Sequence, residues 1–361
     1  MLTILFEKVF NIVIHGKWSW EKGVFDPARI SRILMVRNDN VGDVLCSTPT
    51  IRALRKAFPN AYMAALVVRY SQDAILGNPD LDEVFIYEKA KHRPDQSRIV
   101  SLYKQLKLEL FLKKKRFDLA IGMRSAFSWS EAWWVYFTGA RYRLGYSPET
   151  EKDRRFSFFY NLGIDPHPSD RHEVKKTLGL IRAIGVTPRE THLYVAIPEG
   201  EREKVSSFLK KHSIDPDRLI GFHLSSRVSA NRWCVENFTS LAKRLVEHDK
   251  QFVVLTWGPG DEVLAKIVGQ KVGEGVFSFP TPNFKRLGAL QERCRVFLSP
   301  DGGAMHFATA VGTSTIGLFG KTDPREWGPW GDGHVALQRG KSAGLITVDE
   351  VYQTLKQWIK N

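Results

Sequence analysis

The chain has 361 residues, 43% of them hydrophobic and 25% charged, so it is long enough for two globular domains and too hydrophobic for a disordered protein. Its net charge of +14 favours anionic ligands such as phosphorylated sugars or lipid headgroups. Nucleic acid ranks low because no helix-turn-helix, zinc-finger or RNA-binding motif accompanies the charge. Cys46, Cys234 and Cys294 form no CxxC pair, which disfavours a structural metal or a disulfide framework and favours a reducing, cytosolic compartment.

Residues 1–29 are predicted to form an amphipathic extension. Apolar side chains recur at helical spacing over residues 2–14, and this run is too short to span a bilayer. It also lacks the basic start and the cleavage site of a signal peptide. A helix packed on its own domain and a helix at a membrane surface both fit the pattern, and Trp18 and Trp20 support the second.

Residues 30–189 alternate short apolar runs with helical patterns, which predicts a first parallel sheet. A crossing between domains is predicted over residues 189–203. The alternation then restarts in a second domain, residues 190–335, and residues 336–361 form a tail with a last helix. Two doubly wound sheets would hold ligands at the carboxyl ends of their strands, on either side of a cleft. The predicted strands are Ile33–Val36, Met63–Val68, Val84–Tyr87, Leu119–Gly122, Leu219–Leu224, Phe252–Thr256, Val276–Phe279, Val296–Ser299 and Thr315–Phe319. The predicted helices include Thr50–Ala57, Ser97–Lys115, Ser128–Phe137, Glu236–Glu247, Glu262–Lys271, Phe284–Glu292 and Val348–Ile359.

The loop after the first predicted strand reads RNDNVGD. Gly42 permits a close approach of the backbone to a ligand. Asp43 has two interpretations, a helix N-cap or a carboxylate that accepts a proton from an attacking hydroxyl. Spacing alone favours the cap. Because GxGxxG is missing at this position, an oxidoreductase that binds a dinucleotide is disfavoured.

The loop near the other end of the chain reads DGGAMH. Gly302 and Gly303 at a helix N-terminus would let backbone N–H groups approach an anion such as a nucleotide diphosphate, next to Asp301 and His306. A plain turn and an ordinary helical histidine are the alternatives.

Two further loops carry polar side chains at the predicted ends of strands. Arg227, Asn231 and Arg232 would suit phosphate binding, although exposed arginines are usually only solvated. Thr322 lies in GKTDPREWGPWG, where two tryptophans could wall a pocket or stabilise a surface turn.

These loops, in this order and spacing, resemble those of the bacterial lipopolysaccharide heptosyltransferases, glycosyltransferase family 9. The resemblance covers about residues 30–335 and is most specific at 33–59 and 299–331, while 171–185 is similar to the family's His-Glu helix. It implies a GT-B fold, an α/β architecture of two Rossmann-like domains with the donor bound by the C-terminal one. It also implies inverting heptose transfer from ADP-heptose to the lipopolysaccharide core, with no metal or cofactor. The expected acceptor is anionic and lipid-linked, at the cytoplasmic face of the inner membrane with peripheral membrane contact.

The resemblance also implies roles for individual residues. Asp43 falls on the family's base. The acceptor is expected at Asn40, Gly42 and Arg124. The donor is expected at Arg227, Asn231, Arg232, Asp301, Gly302, Gly303, His306 and Thr322. Two positions differ from the family, because its middle Thr is Gly302 and its donor-binding Lys is Asn231. A cation at the diphosphate is therefore missing unless Arg227 or Arg232 replaces it.

Two other functions fit the same architecture, because a fold does not define a reaction. A sugar-nucleotide epimerase or hydrolase would convert the donor without an acceptor. A non-catalytic relative would bind a saccharide without turnover.

Overall fold

The computed structural model describes residues 25–88 and 97–359 of the chain. The predicted amphipathic run at residues 2–14, with Trp18 and Trp20, lies outside the described residues. None of the helices in the described part combines the length and hydrophobicity that a bilayer-spanning helix needs.

The first half of the chain forms a six-stranded parallel sheet in the order β3-β2-β1-β4-β5-β6. The central strand β1 is buried on both faces over Ile33–Val36, which is typical of parallel strands covered by helices. The strands are β1 Arg32–Arg37, β2 Tyr62–Val68, β3 Glu83–Tyr87, β4 Leu119–Gly122, β5 Tyr142–Tyr146 and β6 Leu162–Ile164. The helices are α1 Val41–Cys46, α2 Thr48–Ala57, α3 Arg98–Lys114, α4 Trp129–Phe137, α5 Glu151–Arg154 and α6 Glu173–Arg182.

The second half repeats this plan, with a six-stranded parallel sheet in the order β12-β11-β10-β7-β8-β9. Its strands are β7 Leu219–His223, β8 Phe252–Thr256, β9 Val276–Ser278, β10 Val296–Pro300, β11 Ser314–Phe319 and β12 Val335–Gln338. Its helices are α7 Glu199–Lys211, α8 Val235–Glu247, α9 Glu262–Val272, α10 Phe284–Gln291, α11 Gly303–Ala310, α12 Pro324–Trp327 and α13 Val348–Lys356.

Both sheets reverse their strand order at the centre. In the first sheet the reversal lies between β1 and β4, and in the second between β7 and β10. Helices on either side of such a point diverge and leave a crevice at the carboxyl ends of the two strands, where ligands bind in doubly wound folds. Both of the predicted site loops, after β1 and after β10, lie at these points. The topology therefore selects the same two loops that the sequence selects.

The two halves are in direct contact. One buried apolar cluster takes in side chains from both sheets, among them Ile33 of β1 and Phe297 of β10. Helix α1, which begins the first site loop, packs against α11, which begins the second. The site loops therefore meet at the boundary between the halves.

All nine predicted strands are present, whereas β5, β6 and β12 were not predicted. Strand β5 has a charged residue, Arg143, at its second position, which the alternation rule does not expect in a buried strand. Its guanidinium is buried because it donates to the carbonyl oxygens of Phe159, at 2.9 Å, and Ala140, at 3.1 Å. Strands β6 and β12 are short and lie at sheet edges, where hydrophobic patterning is weak.

The predicted crossing over residues 189–203 contains the start of a helix. Helix α7 begins at Glu199, within that stretch. Pro198 occupies the N-cap position and Glu199 and Glu201 lie in the first turn, where carboxylates interact favourably with the helix dipole. The last helix also ends earlier than predicted, at Lys356.

Candidate functional site

The first site loop leaves β1 at Arg37 and enters α1 at Val41. Asn40 holds the N-cap position and Asp43 lies inside the first turn, so the N-cap interpretation of Asp43 was wrong. The Asp43 carboxylate instead accepts a hydrogen bond from Arg37 Nη2 at 3.1 Å, and its side chain remains 13% exposed. Asp43 is therefore a partly exposed carboxylate at the carboxyl edge of the first sheet.

Arg37 holds this carboxylate in place from below. Its Nη2 also donates to Glu173 at 2.7 Å, its Nε donates to Asp39 at 2.8 Å, and its Nη1 donates to the carbonyl oxygen of Met123. Burial opposes the charge of Arg37, but the nearby carboxylates of Asp39, Glu173 and Asp43 raise its pKa well above the usual arginine value. A buried guanidinium with three carboxylate partners and one carbonyl partner has little freedom to move, so Asp43 rests on a rigid support.

The same cluster continues towards Arg124, which follows β4. The Arg124 side chain lies 3.5 Å from Asp39, and its backbone N–H donates to Glu131 at 2.9 Å. Burial raises the pKa of Asp39 to about 6, although Arg37 acts in the opposite direction. Burial raises the pKa of Glu131 to about 8. Arg124 is thus a partly exposed cation beside Asp39, and its acceptor role stays a prediction.

The second site loop follows β10 and consists of Asp301 and Gly302 before α11. A Cβ atom at Gly302 would meet no atom within 4 Å, so the loop leaves open space there. The first backbone N–H groups of α11 have no hydrogen-bond partner within the helix, and no side chain caps this N-terminus. Burial raises the pKa of Asp301 to about 6, and the charge of Asp43 acts in the same direction. The two predicted site loops therefore lie within electrostatic reach of each other.

Asn231 connects two of the loops that are predicted to bind the donor. Its side chain is fully buried, and its amide nitrogen donates to Asp301 at 2.9 Å and to Thr322 Oγ1 at 3.0 Å. Its oxygen accepts from the backbone N–H groups of Gly320 and Lys321. These four bonds use the full capacity of an asparagine amide. Asn231 therefore joins these two loops, and in this conformation it has no hydrogen bond left for a nucleotide-sugar.

The two arginines of the third loop differ in their surroundings. Arg227 is exposed and donates to Asn40 Oδ1 at 3.0 Å, so it bridges the two halves next to Asp43. Arg232 donates to the carbonyl oxygen of Ser226 and pairs with Asp261 at 3.2 Å. Arg227 is the cation nearer to the first site loop.

Gly42 and His306 form the contact between α1 and α11. A Cβ atom at Gly42 would lie 2.5 Å from His306 Cδ2, so only glycine fits beside this ring. Burial lowers the pKa of His306 to about 4, which keeps its imidazole neutral at physiological pH. The contact with His306 therefore explains why glycine is needed at position 42, a steric reason that the sequence alone did not reveal.

Among the residues that the structure describes, no group of three or more His, Cys, Asp and Glu side chains is arranged to hold a metal ion.

The chain matches the model of glycosyltransferase family 9 (heptosyltransferase) over residues 105–350, more than half its length. The chain belongs to this family. It is similar to lipopolysaccharide heptosyltransferase 3 of Escherichia coli K12, at 25% identity over 325 residues, covering 87% of this chain and 90% of that protein. Family membership confirms the predicted resemblance and the prediction that the chain is a glycosyltransferase.

Solved structures of family members have the same fold as this transferase. The glycosyl transferase family 9 protein of Veillonella parvula DSM 2008 has a TM-score of 0.79 at 21% identity, over 91% of this chain and 97% of that one. The Escherichia coli heptosyltransferase WaaC with ADP has a TM-score of 0.75 at 20% identity, over 90% and 99%. These matches confirm the predicted GT-B fold. A UDP-GlcNAc 2-epimerase of Methanocaldococcus jannaschii matches less well, with a TM-score of 0.51 at 12% identity, over 91% and 93%.

Two buried side chains that contact the predicted site loops, His172 and Glu173, were not among the predicted site residues. His172 Nε2 lies 3.0 Å from the carbonyl oxygen of Gly328, and its ring lies 4.4 Å from that of Trp330. Trp330 in turn donates to the carbonyl oxygen of Thr191. Trp330 therefore ties the halves together, whereas Trp327 has its ring 6.4 Å from His306. The signal available in the sequence was the His-Glu pair at the start of α6.

Proposed function

We propose that this transferase moves a heptose from ADP-heptose to the saccharide of a lipopolysaccharide core, with Asp43 as the general base. The observation that carries the proposal is the position of Asp43, partly exposed on Arg37 in helix α1, which packs against α11 of the second half. Support for the substrates comes from the family match and from relatives named as lipopolysaccharide heptosyltransferases.

The reaction we propose is a single displacement at the anomeric carbon. The acceptor hydroxyl oxygen forms the new bond to that carbon while the bond to the diphosphate oxygen breaks, and the configuration inverts. The Asp43 carboxylate takes the hydroxyl proton, and ADP leaves with the electron pair of the broken bond. A positioned base of this kind contributes about 10²–10⁴-fold to the rate.

The leaving diphosphate would be held on the opposite side of the cleft. The backbone N–H groups at Gly302 and Gly303, with the dipole of α11, would stabilise its developing charge. Arg227 and Arg232 are the nearby guanidinium groups, and Arg227 would exchange its bond to Asn40 for a phosphate oxygen. The Thr322 hydroxyl would donate a hydrogen bond directly to the nucleotide-sugar. In this proposal Asp301 and His306 border the donor.

The acceptor would enter from the first sheet, past Asn40, Gly42 and Arg124. Arg124 is suited to an anionic saccharide because its side chain is one-third exposed. If the acceptor is lipid-linked, the reaction takes place beside a membrane, and we place it at the cytoplasmic face of the inner membrane with the protein as a peripheral component.

Epimerisation and hydrolysis are not favoured, because the similarity to heptosyltransferases in sequence and fold is greater than to the epimerase. The same applies to a non-catalytic role, because Asp43 is in place with its support intact.

The test combines purified protein, ADP-heptose and a heptose-deficient core oligosaccharide, with ADP release and product mass as readouts. We expect ADP release that depends on the acceptor. Asp43→Asn should bind ADP as the wild type does and lose turnover by at least 10²-fold. Donor conversion without the acceptor would contradict transfer, and near-normal turnover of Asp43→Asn would remove the base from Asp43. A thermal-shift comparison of ADP, UDP and GDP checks the nucleotide, since only a bound ligand raises stability with concentration.

A further inference from the structure

Helix α3 (Arg98–Lys114) carries an apolar surface that faces solvent. Among the described residues, the other large exposed hydrophobic side chains are single residues on five separate segments, namely Tyr70, Trp129, Val228, Val263 and Leu345. On α3 there are seven: Ile99, Val100, Leu102, Tyr103, Leu106, Leu110 and Phe111. We refer to these seven side chains as the α3 stripe. A concentration of this kind on one helix marks a binding surface, whereas single exposed apolar residues need no explanation.

The stripe is not the face by which α3 packs on its own sheet. Ile99, Leu102, Leu106 and Leu110 follow helical spacing and lie on one side of the helix, with Ile99 79% and Leu102 64% exposed. Leu112 is buried and belongs to the core beneath the opposite side. The helix is therefore apolar on two faces, and packing among the residues that the structure describes accounts for only one of them.

The charge around the stripe favours an anionic partner. Lys104, Lys107, Lys113 and Lys114 are exposed beside it. The single acidic residue of α3, Glu109, is buried and accepts hydrogen bonds from Gln105 and Trp133. The solvent-facing surface of α3 thus combines apolar and cationic side chains without a carboxylate. A second copy of the chain is disfavoured as occupant, because pairing two such stripes would bring like charges together.

We propose that the α3 stripe docks the protein on an anionic phospholipid bilayer, with α3 lying in the interfacial plane. Amphipathic helices of this kind insert their apolar side chains at the boundary between headgroups and acyl chains, and lysines beside them attract anionic lipid. The connection from β3 to β4 runs through α3, so the first turn of α3 lies near the same sheet edge as Asp43. A docked α3 would hold the cleft close to the bilayer. The suggestion that docking serves to hold the cleft near the bilayer rests on the proposed use of a lipid-linked acceptor. The binding of α3 to the bilayer does not.

The experiment measures cosedimentation of the full chain with vesicles of phosphatidylglycerol and phosphatidylethanolamine, and with vesicles of phosphatidylcholine alone. The vesicles contain no saccharide. We expect binding to the anionic vesicles that weakens with salt. The triple variant Leu102→Ser, Leu106→Ser, Leu110→Ser should bind at least tenfold more weakly. The double variant Lys104→Gln, Lys107→Gln should lose binding to anionic vesicles in particular.

Matched controls use the same substitutions elsewhere on the surface. Val263→Ser with Leu345→Ser removes exposed apolar side chains, and Lys210→Gln with Lys211→Gln removes exposed cations. Both should bind as the wild type does. Equal vesicle binding by the α3 variants and their controls would overturn the proposal. It would also be overturned if the wild type bound no vesicles and instead formed a dimer, seen by sedimentation velocity, that the triple variant abolishes. Transfer to a soluble core oligosaccharide should be unchanged in the triple variant. Vesicle binding by a protein that transfers no heptose would refute the proposed function and leave the docking surface standing.

Discussion

Arg37 shares one nitrogen between two carboxylates, the proposed base Asp43 and the fully buried Glu173. Glu173 does not reach the cleft, so it can act on the reaction only through Arg37. We predict that Glu173→Gln lowers kcat about tenfold while KM for the donor stays within twofold. In this variant one fewer carboxylate compensates the positive charge of Arg37. Arg37 then stabilises the ionised form of Asp43 more strongly, which weakens Asp43 as a base. Steady-state kinetics and ADP titration separate the two effects.

The control for this prediction is Glu190→Gln, which removes a carboxylate from an exposed ion pair with Lys56. Exposed ion pairs are screened by water and contribute little to stability, so this variant should match the wild type in kcat and KM. An unchanged kcat in Glu173→Gln would mean that Glu173 is a structural partner of Arg37 and does not position the base.

Asn231 gives a second prediction at the residue scale. Asn231→Ala would remove one hydrogen bond from each of Asp301, Thr322 and two backbone N–H groups. A buried group that stays unsatisfied costs about 1–3 kcal/mol. We expect a lower Tm together with at least tenfold weaker ADP binding, because both donor loops lose their common anchor. Calorimetric titration with ADP and thermal unfolding measure the two quantities.

Asn283→Ala is the matched control, because Asn283 also bonds to backbone but caps α10. It should cost about 1 kcal/mol of stability and leave ADP affinity unchanged. If both asparagine variants lost ADP affinity equally, Asn231 would have no special role in the donor loops.

At the scale of elements, the contact of α1 with α11 sets the distance between the two site loops. Gly42→Ala would place a methyl group against the His306 ring, because the new Cβ atom would lie only 2.5 Å from His306 Cδ2 if nothing moved. Overpacking of this kind costs about 1–3 kcal/mol and moves backbone. We predict a lower Tm and a fall in kcat/KM of at least tenfold. Gly269→Ala, within α9 and with open space around its Cβ position, is the control and should be neutral or stabilising by up to about 1 kcal/mol.

Comparison of the predicted and observed elements shows which features the sequence could reveal. Strands rich in Val, Ile and Leu and the glycine loops after β1 and β10 are local patterns, and they were predicted. The hydrogen bonds of Glu173 and Asn231 join partners 136, 70 and 91 residues away in the chain. Local patterns could mark the two positions, but they could not reveal these contacts. Strand β5 was missed for a related reason, since the guanidinium of Arg143 is hydrogen-bonded to carbonyl groups that only the fold brings near it. For Asp43, spacing alone favoured a cap, and the position of α1 excluded it.

At the scale of the whole molecule, several hydrogen bonds join the two halves around the cleft. Lys285 donates to the carbonyl oxygens of Leu76 and Ala196, and burial lowers its pKa to about 8. The backbone N–H of Phe284 donates to Asp73 at 3.1 Å. With the bond between Arg227 and Asn40, these contacts hold the two central crevices opposite each other. The site is therefore a property of the paired halves, because each half supplies only one of the two loops.

The stability of the whole molecule should depend on pH through Glu131. Its pKa is about 8 in the folded protein against 4.5 for a free glutamate, chiefly because of burial. Between these values the folded state binds a proton that the unfolded state has lost. The free energy of unfolding therefore falls as pH rises from about 4.5 to 8, by up to about 1.4 kcal/mol per pH unit, and levels off above pH 8.

Glu131→Gln removes this contribution while its amide can still accept from the Arg124 N–H. We predict that the stability of Glu131→Gln relative to the wild type increases between pH 5 and pH 8, as measured by urea unfolding. Glu274→Gln, at an exposed carboxylate, should follow the wild-type profile, and a constant difference between Glu131→Gln and wild type across this range would show that Glu131 is ionised in the folded protein.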